Sequence, residues 1–388
     1  MAQTHAGPDS AANPMVTAAR RLETMAPALV QSAQIKPGQL VAIHGGPQMV
    51  PAMEAMAIAV QKRGGFPLLL LDSPAVTHSY FADVPEQYLG RTPRAWQDFQ
   101  AAGVDVDFQL PVFENFLQTL SDVPAERQGK VVAAFTASQT ELTARQNRNR
   151  TKRLNIVGPP GAADAEQARI DPATYSRLYN QGLDADYQRI AQSGRRIQAA
   201  LRGARRVRIT TPDGTDLSFA VGNHPVILDA GMTQLGTEGL LAERTAQLPG
   251  GAIRLAPMET SVTGTIHAPN DQCDHPVKDE VIEVREGMPE SVHAASDEAC
   301  VKAAVQRAGR FGWVEIGLNP ALRVNDPKAN LVSTLLDLGA GAVTVNFGTN
   351  QELGGANKTA SGGWFIVLPR ATIEADGKLV VRNGELAM

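Results

Sequence analysis

The side chains best suited to chemistry lie in the second half of the chain. In Leu248–His267, LPGGAIRLAPMETSVTGTIH, a Gly-Gly turn leads into two short β-rich runs with one carboxylate, Glu259, between them. In the run WVEIGLNP, Glu315 alternates with Val314 and Ile316 and so points to the face opposite those apolar residues. Gly348–Thr359, GTNQELGGANKT, is the densest polar constellation: Asn350, Glu352, Asn357 and Lys358 lie among glycines that permit close backbone approach, and a β run follows at once. These residue types suit acid–base hydrolysis. A buried Glu259 or Glu315 with a raised pKa activates water, and Lys358 with Asn350 or Asn357 stabilises a developing oxyanion. Acid–base help of this kind supplies roughly 10²–10⁴ in rate.

Two further groups carry ligand-type side chains. His267, Asp271, Cys273, Asp274 and His275 crowd metal-binding residue types into one short stretch, but their spacing matches no defined zinc pattern, and Pro269, Asn270 and Pro276 suggest an exposed loop. His44 precedes Gly45-Gly46-Pro47 at the carboxyl end of the first predicted parallel strand, where open α/β sheets place ligands; the turn is not a GxGxxG fingerprint. The basic run Arg145–Arg153 reads as a solvated loop or helix end. Arg195, Arg196, Arg202, Arg205 and Arg206 complement a helix C-terminus.

The elements that must position these residues fall into two textures. Helical spacing over Val16–Ala33 gives way to a strand at Leu40–His44, a helix at Met49–Arg63 and a strand at Pro67–Leu71, a βαβ unit. Looser repeats follow: strands at Val104–Phe108 and Val131–Phe135, helices near Phe113–Leu120 and Gln139–Gln146, then helices at Pro172–Gln181 and Asp184–Arg202. From Val207 the pattern turns to β. Val207–Thr211 and Leu217–Val221 flank Pro212-Asp213-Gly214 as a hairpin, and one helix, Asp297–Ala308 with Ser296 as N-cap, interrupts the later strands. The expectation is a loose tail at 1–15, an α/β domain with an open, mostly parallel sheet at 16–204, and a β-rich α+β domain at 205–388 that carries the site.

Bulk properties exclude several classes. The 388 residues exceed what one core usually organises, and 43% hydrophobic with 20% charged residues is an ordinary globular balance. A net charge of -4 draws the molecule to neither nucleic acid nor anionic membrane. Two cysteines are too few for a disulfide framework, so a reducing cytoplasm is expected, and neither a signal peptide nor a long apolar run is read.

IKPGQLV near Ile35, the hairpin around Pro212–Phe219, LPGG with APMETSVTGT at Leu248–Thr265, GLNP at Gly317–Pro320 and NxxxGGxNKT at Asn350–Thr359 together resemble the aminopeptidase T/S family of metallo-aminopeptidases. They also resemble its relatives, the iron(II) 2,5-dihydroxypyridine 5,6-dioxygenases. The resemblance implies a metal held in the second domain and a dimer. The aminopeptidases use a Glu after the Gly-Gly turn, a Glu ahead of the later Gly/Pro segment, a His in a late strand and a terminal His-x-Asp pair. Aligned on the glycines, those positions are Ala252, Trp313, Thr344, and Trp364 with Ile366. The dioxygenases' His near Trp313 is absent as well. Hard divalent ions need converging carboxylates or imidazoles, so no metal and no other cofactor is expected. Trp313 and Trp364 would wall a cavity for a flat aromatic or heterocyclic ligand, with Thr344, Asn346, Asn350, Glu352 and Asn357 as binding groups.

The function expected from this reading is a metal-independent hydrolase, or a ring-opening or lyase-type enzyme, for a small cyclic or aromatic nitrogen compound, with Glu259, Glu315 and Lys358 catalytic. The alternatives are a non-catalytic binding relative and a metal enzyme with ligands relocated to His267, Asp271, His275 or Glu259.

Overall fold

The computed structural model describes residues 13–91, 103–112, 119–233, 235–273, 275–326, 328–333, 335–359 and 363–388, and of 132–141 the backbone alone. The chain forms two compact units, Met1–Ala163 with Gln234–Thr245, and Asp164–Thr233 with Ala246–Met388.

The first unit holds parallel strands in the order Phe66–Leu71, Leu40–Gly45, Val106–Gln109, Lys152–Ile156. The helix Pro14–Ser32 begins where Asn13 accepts from the backbone of Met15 and Val16, with Pro14 supplying the fixed φ that a first turn needs. Its stripe of Leu22, Ala26, Leu29 and Val30 is buried, as is the Val41–Ile43 centre of the first strand. The expected strand at Val131–Phe135 is instead the middle of one long helix, Ala125–Asn149. A short apolar run does not fix its own period, and here Ala, Gln, Glu and Arg flank it with no break until Arg150 turns left-handed at φ 55. The next strand follows at Lys152, within the basic run. Most of the predicted tail and of the Phe113–Leu120 helix lies outside the described residues.

The second unit begins at Asp164, ahead of the helices Pro172–Leu183 and Tyr187–Leu201, whereas composition had suggested a boundary near residue 204. The reason is packing: Gly194 lets the second helix close on Leu228 and Leu318, where any Cβ would collide, and Ile190, Ile197 and Leu201 are buried. Two antiparallel sheets make up the rest. The eight-stranded sheet runs Met288–His293, Pro276–Arg285, Thr263–Gln272, Asp216–Phe219, Val207–Thr210, Thr372–Ala375, Lys378–Arg382, Glu385–Leu386. The five-stranded sheet runs Trp364–Leu368, Val343–Phe347, Phe311–Gly317, Ala252–Leu255, Val226–Asp229. The predicted hairpin around Pro212–Gly214 forms, and a second closes at the Asp-Gly turn Asp376-Gly377. The predicted α/β unit with a parallel sheet, followed by a β-rich unit, is therefore the architecture observed.

Helix Glu298–Ala308 starts from Asp297 and not from Ser296, whose hydroxyl donates to the Pro276 carbonyl. Cys300 on this helix is bonded to Cys273 in a disulfide that cysteine number alone did not lead us to expect. Among the described residues no helix is long and apolar enough to cross a membrane.

Candidate functional site

The Gly-Gly turn is held from both sides. The Tyr187 hydroxyl accepts from the Gly250 N–H at 3.2 Å and donates to the Gly182 carbonyl at 2.7 Å, while Asn319 donates to the Gly250 carbonyl at 2.8 Å. From this anchored turn the chain enters Ala252–Leu255 in the five-stranded sheet, passes a short 3-10 turn, Glu259–Ser261, and joins the eight-stranded sheet at Thr263. Glu259 thus sits where the chain changes sheets.

Its carboxylate is occupied. One oxygen accepts from the Ala356 N–H at 2.6 Å and from the Asn350 amide at 3.2 Å. Burial pushes the group up, but these donors outweigh it and hold its pKa below the usual carboxylate range, opposite to the raised value expected of a water-activating base. Asn350 also donates to the Gly312 carbonyl at 3.2 Å and accepts from the Asn357 N–H at 2.8 Å; Asn357 donates to the Phe311 carbonyl at 2.7 Å. The structure therefore brings Glu259, Asn350 and Asn357 together as a clamp that fixes the Gly348–Thr359 loop to the start of the Phe311 strand. Glu352 and Lys358 lie exposed on that loop. Asn350→Ala should remove three hydrogen bonds of a buried amide, cost about 1–2 kcal/mol, and speed proteolytic cleavage within the loop. Unchanged cleavage and urea midpoint would refute the clamp.

Register sorts the remaining candidates by face. Trp313 pairs with Asn346, which pairs with Phe365; Glu315 pairs with Thr344 and Arg254, Thr344 with Val367, and Arg254 with Ile227. Cross-strand partners share a face, so Trp313, Glu315, Arg254, Thr344, Asn346, Phe365 and Val367 project from one side of the sheet. The Trp313 and Phe365 rings meet edge to face at 5.6 Å, in agreement. Asn346 is sunk among glycines, donates to the Trp364 carbonyl at 3.3 Å, and would clash with a Cβ at Gly312.

Trp364 and Ile366 alternate to the opposite, apolar face, with Phe311, Val314, Val345 and Phe347. The Trp364 indole N–H donates to Glu280 at 2.8 Å in the interior. Beside it, burial and the adjoining Glu280 push Asp271 well up. The two indoles expected to wall one cavity thus point to opposite sides of the sheet. A fraction of a turn in alignment is invisible in sequence, whereas a one-residue offset in a strand reverses the face.

The first face also carries charge that motif reading missed. Arg254 forms an ion pair through Nε with Glu315, which is 2% exposed. Asp229 lies on the same face, pairing with Ala252, and Asp337 comes from the adjoining 3-10 turn, Leu336–Leu338. Burial raises Asp229 to about 6 against the pull of Arg254 and of hydrogen bonds from Gly231 and Gln247. Asp337 is pushed well above the usual range by burial and then by Glu315. Arg254 is held even more firmly charged by Glu315. Alternation in IRLAP sets Arg254 opposite Ile253 and Leu255, a signal that was available but not used, and no local signal links it to Glu315 or Asp337.

The metal-type cluster does not converge. His267 Nδ1 contacts the Asp213 carbonyl, Asp271 faces Glu280, Cys273 is in the disulfide, and the His275 N–H donates to Asp297. Asp274 lies outside the described residues. Among the described residues the only close grouping of ligand types is Cys273, Asp297 and Cys300, whose sulfurs are bonded to each other. In the first unit His44 stands 3.5 Å from both Asp72 and Asp107; burial lowers its pKa, but the carboxylates outweigh this and raise it.

Residues 185–388 match the family of 2,5-dihydroxypyridine 5,6-dioxygenase, NicX. The chain belongs to this family. Across both units it is similar to two solved structures. One is 2,5-dihydroxypyridine dioxygenase from Pseudomonas putida KT2440, with 17% identity, a TM-score of 0.60, and 95% of this chain and 97% of that one covered. The other is wild-type AmpT from Thermus thermophilus, with 16% identity, a TM-score of 0.66, and 95% and 99% covered. No curated protein matches the chain. At these identities the two structures establish a shared fold.

Within this NicX-family fold the positions implied as ligands can be tested by face. Ala252, Trp313 and Thr344 share one side of the sheet, and the terminal pair that shares it is Phe365 with Val367, one residue on from the pair that glycine alignment picked. Methyl, indole, hydroxyl, phenyl and isopropyl groups do not make a donor set for a hard or borderline divalent ion. A permanent guanidinium, Arg254, stands on the same face. These residues do not fit the metal that the family implies.

Proposed function

We propose that this NicX-family chain is an enzyme for a small planar aromatic or heterocyclic compound that works by proton transfer and electrostatics from organic groups, as a hydrolase or ring-opening lyase. The observation that carries the reading is that Ala252, Trp313, Thr344, Phe365 and Val367, which offer no donor set for a divalent ion, share one face with a fixed cation, Arg254. Its NicX and AmpT likenesses support a small-molecule enzyme as the general class.

In this mechanism Trp313 and Phe365 supply an aromatic edge for a flat ring, and Arg254 stabilises negative charge that develops on it. Glu315, locked to Arg254, orients the guanidinium. Asp229, near 6, is tuned close to neutral pH and, with Asp337, is the natural source or acceptor of a proton. Glu259, Asn350 and Asn357 hold the loop next to the Trp313 strand, and Lys358 and Glu352 are exposed on that loop.

Family membership favours a second reading, an iron-dependent ring-cleaving dioxygenase with relocated ligands. Elemental analysis of protein purified without added ions or chelators separates the two. Substoichiometric iron, zinc and manganese, with turnover of nitrogen heterocycles or aryl amides that survives EDTA, is the expected result; one tightly held iron per chain would overturn the proposal.

A further inference from the structure

Resting on that metal-free reading, and deepening it, we infer that Arg254 is a carboxylate anchor and that the ligand of this face is a small planar aromatic or heteroaromatic carboxylate. The guanidinium spends only Nε on Glu315; among the described residues its two Nη groups make no hydrogen bond, and the side chain is 33% exposed while its partner is 2% exposed. The ion pair therefore fixes the inner edge of a rigid planar fork and leaves the outer edge facing accessible space. Two parallel N–H donors at that edge match the two oxygens of a carboxylate, a geometry that a lysine ammonium cannot reproduce.

The neighbours select the rest of the ligand. Trp313 stands one strand across and one row along from Arg254, roughly 8 Å between backbones, and meets Phe365, two strands further on and 40% exposed, edge to face. An indole within that reach of a cationic fork suits a ring bearing a carboxylate directly. Thr344, beside Glu315 in the row of Arg254, keeps a buried hydroxyl with no hydrogen-bond partner among the described residues. An ammonium or amidinium ligand would meet Arg254 as a like charge. Burial lifts both Asp337 and Asp229, the latter to about 6, so discrimination against cationic ligands is sharpest below that pH.

Calorimetric titration of the wild-type protein with benzoate and pyridine-3-carboxylate, against benzamide and benzamidine as neutral and cationic counterparts, tests the anchor. The carboxylates should bind at least tenfold more tightly than benzamide, and benzamidine should not compete. Arg254→Lys, which keeps a cation for Glu315 but loses the fork, should weaken carboxylate binding at least tenfold with little change in melting temperature. Equal binding of benzoate and benzamide, preference for benzamidine, failure of all four to bind, or full carboxylate affinity in Arg254→Lys would each overturn it. Should that variant fail to fold, the acid-to-amide ratio of the wild type decides alone. Metal content of the same preparations keeps the two ideas apart: one iron per chain with carboxylate preference retained sinks the metal-free reading and leaves the anchor, whereas metal-free protein indifferent to ligand charge sinks the anchor only.

Discussion

Glu315→Ala is expected to cost about 3 kcal/mol of stability, near the low end of what breaking a buried ion pair costs, because it strands the Arg254 guanidinium against a sheet face. Glu315 is 2% exposed, so its carboxylate is held in place almost wholly by that partner. The cost falls at the low end since a third of the arginine side chain reaches solvent and can recover some hydration. Removing both charges is a different experiment. Arg254→Met with Glu315→Leu fills the same volume without any buried ion, and should recover most of the loss seen in Glu315→Ala, as buried pairs replaced by apolar groups often do. Urea denaturation of Arg254→Met, Glu315→Leu and the double variant gives the coupling directly. A loss below about 1 kcal/mol in Glu315→Ala would mean that the pair behaves as a surface contact, and would remove the rigid fork on which carboxylate recognition depends.

Asp229→Asn should stabilise the protein increasingly as pH rises from about 4 to 6. In the unfolded chain this carboxyl loses its proton near 3.8, and in the fold near 6, because burial disfavours the charged form. Between those values the folded state binds one more proton than the unfolded state, so the stabilisation is complete below the lower value and is lost as pH passes the upper one. Two pKa units correspond to roughly 3 kcal/mol. An asparagine does not titrate, and its amide oxygen still accepts from Gly231 and Gln247, the bonds that Asp229 makes at 2.9 Å and 3.2–3.3 Å. Melting temperatures of wild type and variant across pH 4 to 7 should therefore diverge. Parallel curves would show that Asp229 ionises normally, and would strip it of the proton-transfer role proposed for it.

The strand and helix patterns that follow short-range rules are where sequence and structure agree. The βαβ start, the hairpins at Pro212–Gly214 and Asp376-Gly377, and the switch to β texture after Val207 all rest on alternation, Asp-Gly turns and helical spacing within a few residues. Val131–Phe135 shows the limit: a five-residue apolar run satisfies either period, and only the continuous chain around it made it helical. At the candidate site, Glu259, Asn350, Glu352, Asn357 and Lys358 were expected to serve one site; the structure joins Glu259, Asn350 and Asn357 as a clamp and leaves Glu352 and Lys358 exposed. That the partners would be the start of the Phe311 strand and the loop's Ala356 N–H was not legible, since the bonds between residues 259 and 356 and between 350 and 312 span the unit.

Local order, then, determined the kinds of element, their succession and the family motifs at Leu248–Thr265 and Asn350–Thr359, because propensity and periodicity act over a few residues. Tertiary structure alone decided which side chains share a face. It set Trp364 apart from Trp313, seated Arg254 against Glu315, and placed Asp229 and Asp337 beside them, because strand register, and with it the side to which every residue points, is fixed by pairing between segments far apart in the chain.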